Sequence, residues 1–210
     1  MPMNETLSIV AALIAAYLVG SIPLAYLMGR WLKGIDIRQV GTKNMGTMNT
    51  FYEVGFWPGM LVLTVDISKG AAAVAVARVL ETPQIIEFLA GMVAVMGHVL
   101  PVWLKFKGGK GGATCIGVLA FLMPWGIPIY AATFGLILLI TRFPTFSYSA
   151  AFIIFPIIGW VIYHSTAFII YPMALLMIPG LQYIMRVKQI GERSTSFKDA
   201  VFRKSLRDRR

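Results

Sequence analysis

The sequence predicts an all-α integral membrane protein, a bundle of about seven transmembrane helices with the N-terminus outside and the C-terminus cytoplasmic. Three observations carry this. Of 210 residues, 58% are apolar and 13% are charged. Few soluble domains of that size could hide so much apolar side chain without a large exposed patch. Several runs approach the ~20 apolar residues that a helix needs to cross a bilayer. The net charge of +10 gathers in particular loops, as Lys and Arg do on the cytoplasmic side. Such charge also suits anionic headgroups or phosphorylated partners.

The first apolar run covers about residues 8–29. Its leading segment contains Glu5 and no Lys or Arg up to Val10, which argues for a retained span over a cleaved signal. A loop carrying Arg30, Lys33, Arg38 and Lys43 follows, then a second run over about 55–80. After the short, acidic Glu81-Thr82-Pro83-Gln84 comes a third run over about 86–104. Lys105-Phe106-Lys107-Gly108-Gly109-Lys110-Gly111-Gly112 then forms a basic hinge. Residues 113–140 are long for one span, and Pro124-Trp125-Gly126-Ile127-Pro128 favours a turn in the middle. Two short crossings are expected there, followed by runs over about 146–162 and 167–185. The basic tail, 186–210, is expected inside. Only an odd number of crossings delivers it there from an outside N-terminus, and splitting 113–140 supplies that number. The division is thus a transmembrane domain, 1–185, and a basic cytoplasmic tail, 186–210, lying as an interfacial helix or disordered against anionic lipid.

The single Cys115 excludes an internal disulfide and a multi-cysteine metal site. No metal is expected, because His and carboxylates show no ligand spacing. Two loops have the composition of anion sites. In Gly41-Thr42-Lys43-Asn44-Met45-Gly46-Thr47-Met48-Asn49, hydroxyl, amide and basic groups alternate with glycines. Backbone N–H groups exposed at glycine can wrap an anion, although an ordinary polar turn has the same composition. Lys107, Gly108, Gly109, Lys110, Gly111 and Thr114 are sharper candidates. They put loosely constrained amides, a helix start and two cations together, which favours phosphate. The spacing of a Walker A loop is absent. A flexible basic hinge that only sets topology is the plainer reading.

Asp66 and Lys69 lie inside the second run, where charge is costly and usually functional or paired. At i, i+3 they share a helix face and can pair with each other. His98 is either a phosphate ligand or base, or a packing residue. No Ser-His-Asp arrangement is legible, so an enzyme built on these residues would rely on positioning and electrostatics. A second class stays open on the residues alone: a protein that binds or transports a phosphorylated small molecule or lipid. Intramembrane charge and Pro/Gly breaks suit a transporter, while an inverted repeat is absent.

Gly20-Ser21-Ile22-Pro23, the 41–49 loop, Asp66-x-x-Lys69-Gly70 and above all Gly97-His98 followed by Phe106-Lys107-Gly108-Gly109-Lys110-Gly111 resemble the bacterial acyl-phosphate:glycerol-3-phosphate acyltransferases of the PlsY family. Order and spacing match over roughly the first 120 residues. The resemblance implies a seven-span bacterial plasma-membrane enzyme with its site facing the cytoplasm. It would transfer a fatty acyl group from acyl phosphate to the 1-hydroxyl of glycerol 3-phosphate, giving lysophosphatidic acid and phosphate in phospholipid synthesis. Neither a cofactor nor a nucleic-acid partner is implied, and a monomer among membrane lipids is expected. Carried onto this chain, Thr42, Asn44 and Lys110 take catalytic positions. Lys43, Gly46, Asn49, Asp66, Lys69, His98, Lys107, Gly108, Gly109, Gly111 and Thr114 take substrate-binding ones.

The chain departs from the family pattern at both ends. The family loop reads Gly-Ser-Gly-Asn-x-Gly-Ala-Thr-Asn. Here Thr42 stands for Ser, Lys43 for the second Gly, and Thr47-Met48 for Ala-Thr. Tyr52 stands where an Arg commonly follows, and 181–189 lack the family's His and Asn. A diverged relative, non-catalytic or of different specificity, is the alternative that these departures allow.

Overall fold

The computed structural model describes residues 4–191, and every described element is helical. The expected tail lies outside the described residues from Glu192 onward. Residues up to Pro124 form one compact unit and those from Trp125 a second.

In the first unit, α1 (Glu5–Gly20) and α2 (Leu24–Lys33) together make one interrupted apolar segment. A continuous helix over 8–29 was expected. The break falls at Ser21-Ile22-Pro23 because Pro23 has no N–H to continue the ladder. Ile22 N–H closes a tighter turn onto the Val19 carbonyl, and Ser21 Oγ bonds back to the Tyr17 carbonyl at 2.7 Å. The loop after α2 holds a short helix that hydropathy did not reveal, α3 (Thr47–Glu53). It is followed by α4 (Phe56–Val79), α5 (Gln84–Val99), a single 3-10 turn (Val102–Leu104) and α6 (Gly112–Leu122).

Small residues let these helices approach closely. Ala12 and Ala16 on α1, Ala73 and Ala77 on α4, and Ala90 and Ala94 on α5 form one fully buried cluster. Each pair is four residues apart and so lies on one helix face. Where α4 crosses α6, a Cβ on Gly70 would strike the Thr114 carbonyl, and one on Gly117 would strike the Ile67 carbonyl. In a bilayer, where lipid competes equally for apolar side chains, such backbone approach is a main source of helix association.

The second unit contains α7 (Gly126–Thr141), α8 (Pro144–Ala151), α9 (Ile154–Val161) and α10 (Thr166–Gly191). The expected split of 113–140 is present, since α6 ends at Leu122 and α7 begins at Gly126. Tyr130, Phe152 and Phe155 build its core, with ring centroids 5.2–6.3 Å apart. Among the described residues, four helical segments are long and apolar enough to cross a membrane: Glu5–Lys33, Phe56–Val79, Gln84–Leu104 and Thr166–Met185. Three shorter apolar segments are also present, Gly112–Leu122 in the first unit and Gly126–Thr141 and Phe146–Val161 in the second. Large apolar side chains such as Ile14, Leu61, Leu139 and Met177 stand exposed along these segments, as a lipid-facing surface requires.

Candidate active site

The glycine-lysine loop owes its path to the end of α5. The last carbonyls of a helix lack intrahelical partners, and the returning chain supplies them. Gly108 N–H donates to the Val99 carbonyl at 3.0 Å, and Gly109 N–H donates to the His98 carbonyl at 3.1 Å. To turn back so sharply, Lys105 and Phe106 adopt φ of 54° and 59°. Consecutive left-handed non-glycine residues cost about 1–3 kcal/mol each and persist only where neighbours hold them. Gly109 must be glycine, because a Cβ there would collide with His98 Nε2 and with the Met45 carbonyl. That collision also maps the site: the end of the first loop, the glycine-lysine loop and His98 meet at one point.

Behind this point lies a buried charged cluster. Lys69 Nζ is 2.7 Å from Asp66 Oδ1, and His98 Nδ1 is 3.5 Å from the same oxygen. All three side chains are at most 4% exposed. Lys69 Nζ also donates to the Ile22 carbonyl at 3.2 Å, an acceptor set free by the break between α1 and α2. The ammonium therefore ties the interrupted helix to α4, while Asp66 faces α5 through His98. The i, i+3 pairing expected from the sequence is present, and the helix break gives it a second function.

The first loop is organised from within by Asn49. Its side chain is fully buried. Asn49 Nδ2 donates to the Ile37 and Val40 carbonyls at 2.7 and 3.1 Å, and Oδ1 accepts from Thr42 N–H at 2.7 Å. The amide that composition offered to an anion is thus committed to the loop backbone. The same holds for the amides of Gly108 and Gly109. Thr42, Asn44 and Lys110 are half-buried, and Lys110 lies just before the start of α6 and its dipole. Gly111 caps α6 with φ of 88°. Thr114, in the first turn of α6, is fully buried, and its Oγ1 has no hydrogen-bond partner among the described residues. Gly46 is buried and receives Thr50 N–H and Thr50 Oγ1 on its carbonyl, both at 3.1 Å. Lys43 and Lys107 are exposed, and Lys43 has a φ of 55°.

Two features escaped sequence reasoning. Arg38 forms a bidentate pair with Asp36, Nη2 to Oδ2 at 2.8 Å and Nε to Oδ1 at 3.0 Å. Hydrogen bonding from Arg38 holds the Asp36 carboxyl below the ordinary carboxylate range and outweighs the effect of burial. Arg78 pairs with Glu87, Nη2 to Oε2 at 2.7 Å, and stacks 4.7 Å over the Phe121 ring. The charges of Arg78 and Glu87 within apolar runs were the available signal for that pair. For Arg38 the sequence offered only a charged residue in a polar loop.

A family model described as glycerol-3-phosphate acyltransferase matches residues 10–192. A protein of Dehalococcoides mccartyi named glycerol-3-phosphate acyltransferase 2 is 54% identical, and the match covers 99% of this chain and 100% of that one. A glycerol-3-phosphate acyltransferase of a Synechococcus species is 41% identical over 82% of this chain and 84% of its own length. Among solved structures, the integral membrane glycerol 3-phosphate acyltransferase PlsY, in its glycerol 3-phosphate form, superposes with a TM-score of 0.77. It is 25% identical and covers 93% of this chain and all of that one. With a family model spanning most of its length and relatives matched nearly end to end, the chain belongs to the glycerol-3-phosphate acyltransferase family.

Proposed function

We propose that the protein transfers a fatty acyl group from acyl phosphate to the 1-hydroxyl of glycerol 3-phosphate, giving lysophosphatidic acid and phosphate. The observation that carries this is the meeting of the first loop, Gly109 and His98 at one point, with Lys110 beside it. Both substrates bear phosphate, and one bears a chain that belongs in lipid. A site at the end of an apolar bundle can hold both headgroups while the chain stays in the bilayer. The acceptor is supported by relatives named for it and by the solved PlsY in its glycerol 3-phosphate form.

In this reading Lys110 and the start of α6 hold the donor phosphate. Thr42 and Asn44 orient the acceptor, and Lys43 and Lys107 attract the two anions. The acceptor oxygen bonds to the acyl carbon as the carbon–oxygen bond to phosphate breaks. The departing phosphate takes the hydroxyl proton. The mixed anhydride is already activated, so placement of the two groups supplies most of the rate. Transport or passive binding is not favoured, since the relatives are named as acyltransferases along the whole length of the match. Purified protein given acyl phosphate and glycerol 3-phosphate is expected to release lysophosphatidic acid and phosphate in equal amounts. Folded protein that releases neither would refute the assignment.

The site is proposed to face the cytoplasm of a bacterial inner membrane, with the N-terminus outside. Arg30, Lys33, Lys43, Lys105 and Lys107 are exposed around the two loops, the distribution expected of an inner face. A reporter fused after Arg210 is expected to give a cytoplasmic signal, and a periplasmic signal would reverse the orientation.

A further inference from the structure

The glycine-lysine loop contains a strained turn, and one side chain from the other loop grips both of its ends. Besides its bidentate pair with Asp36, Arg38 directs Nη1 at the Leu104 and Lys107 carbonyls, 3.4 Å from each. Those carbonyls bracket Lys105 and Phe106, the two left-handed residues. The guanidinium also lies 5.0 Å from the centroid of the Tyr26 ring on α2. It is therefore held by Asp36 on one edge and by an aromatic face on another, and its remaining nitrogen reaches across to the second loop. Only a planar fork with several donors can make these contacts together, and a lysine ammonium cannot.

We infer that Arg38 is a positioning residue for the glycine-lysine loop: neutralised and aimed by Asp36, it clamps the 104–107 turn so that Gly109 stays seated on His98 and Lys110 faces the substrates. The inference concerns the loop itself, and only its kinetic consequence rests on the acyl-transfer reading. It separates Arg38 from the cations that would bind phosphate, because its charge is already matched by Asp36. Three consequences follow. Loss of Arg38 should loosen a loop that it does not belong to. Loss of Asp36 should do the same, although that change leaves the site more positive. Losing both should cost little more than losing one, since the two act as one unit.

The test uses the full chain in detergent or nanodiscs, with amide hydrogen exchange and acyl-transfer kinetics measured on the same samples. In Arg38→Gln, exchange of the Lys107–Gly109 amides is expected to accelerate about tenfold, with kcat/KM about tenfold lower and most of the loss in kcat. Asp36→Asn should reproduce both changes, and the double variant should match the single ones. Arg38→Lys keeps the charge and should recover less than half of the loss; it also serves if Arg38→Gln does not fold. Unchanged exchange in the variants would overturn the clamp. So would a harmless Asp36→Asn beside a damaging Arg38→Gln, which would make Arg38 a direct anion ligand. If wild-type protein shows no acyl transfer while exchange responds as expected, the clamp stands and the assigned reaction falls.

Discussion

Replacing Lys110 with alanine is expected to lower kcat/KM by about 10²–10³ in protein that still folds. Position sets the size of the effect. Lys110 follows Gly109, which is fixed against His98 and the Met45 carbonyl, and precedes the Gly111 cap of α6. Its backbone is held on both sides, so the charge is placed before substrate arrives and needs little reorganisation in the transition state. Lys107, three residues earlier, is exposed. Solvent and salt screen it, and Lys107→Ala should cost about threefold, with the difference vanishing at high ionic strength. Lys110→Arg should restore part of the activity, since charge survives but shape does not. Activity of Lys110→Ala within about threefold of wild type would remove Lys110 from the site. The control is thermal unfolding of the same preparations.

Much of the architecture was legible because bilayer crossing is a local property of sequence. Run length and Pro/Gly punctuation located the helices, including the division of 113–140 at Pro124. The two loops and the Asp66–Lys69 pair were legible for the same reason, being near neighbours in sequence. What stayed hidden depends on placement in three dimensions. Asn49 has the composition of an anion donor, yet it reaches back to Ile37 and Val40 to build its own loop. Gly108 and Gly109 look like a phosphate cradle, yet their amides complete the end of α5. α3 is one short, mostly polar and aromatic stretch with no hydrophobic period long enough to announce it. For Asn49 and the two glycines the residue was read correctly as a hydrogen-bonding group, and only the fold decided which partner it met.

Lys69→Met is expected to be the most destabilising of the changes considered, by about 3–5 kcal/mol. Two groups depend on this ammonium. Asp66, 3% exposed, would keep His98 as its one basic neighbour among the described residues. The Ile22 carbonyl, released where Pro23 interrupts the first span, would lose its donor. The tie between that break and α4 would go with it. An ordinary interhelical hydrogen bond in a membrane bundle is worth about 0.6 kcal/mol, so the predicted loss identifies a buried charge left without its match. Replacing both partners tests this directly. Asp66→Asn with Lys69→Met removes the charges together, and should be more stable than Lys69→Met alone even though it differs from wild type at one more site. Unfolding in detergent, followed by helix signal, measures all three proteins. A single-variant loss near 0.6 kcal/mol, or a double variant weaker than Lys69→Met, would show that the cluster works as a set of neutral hydrogen bonds. In that case His98 would be seated by Gly109 and the returning loop, not by the charge behind it.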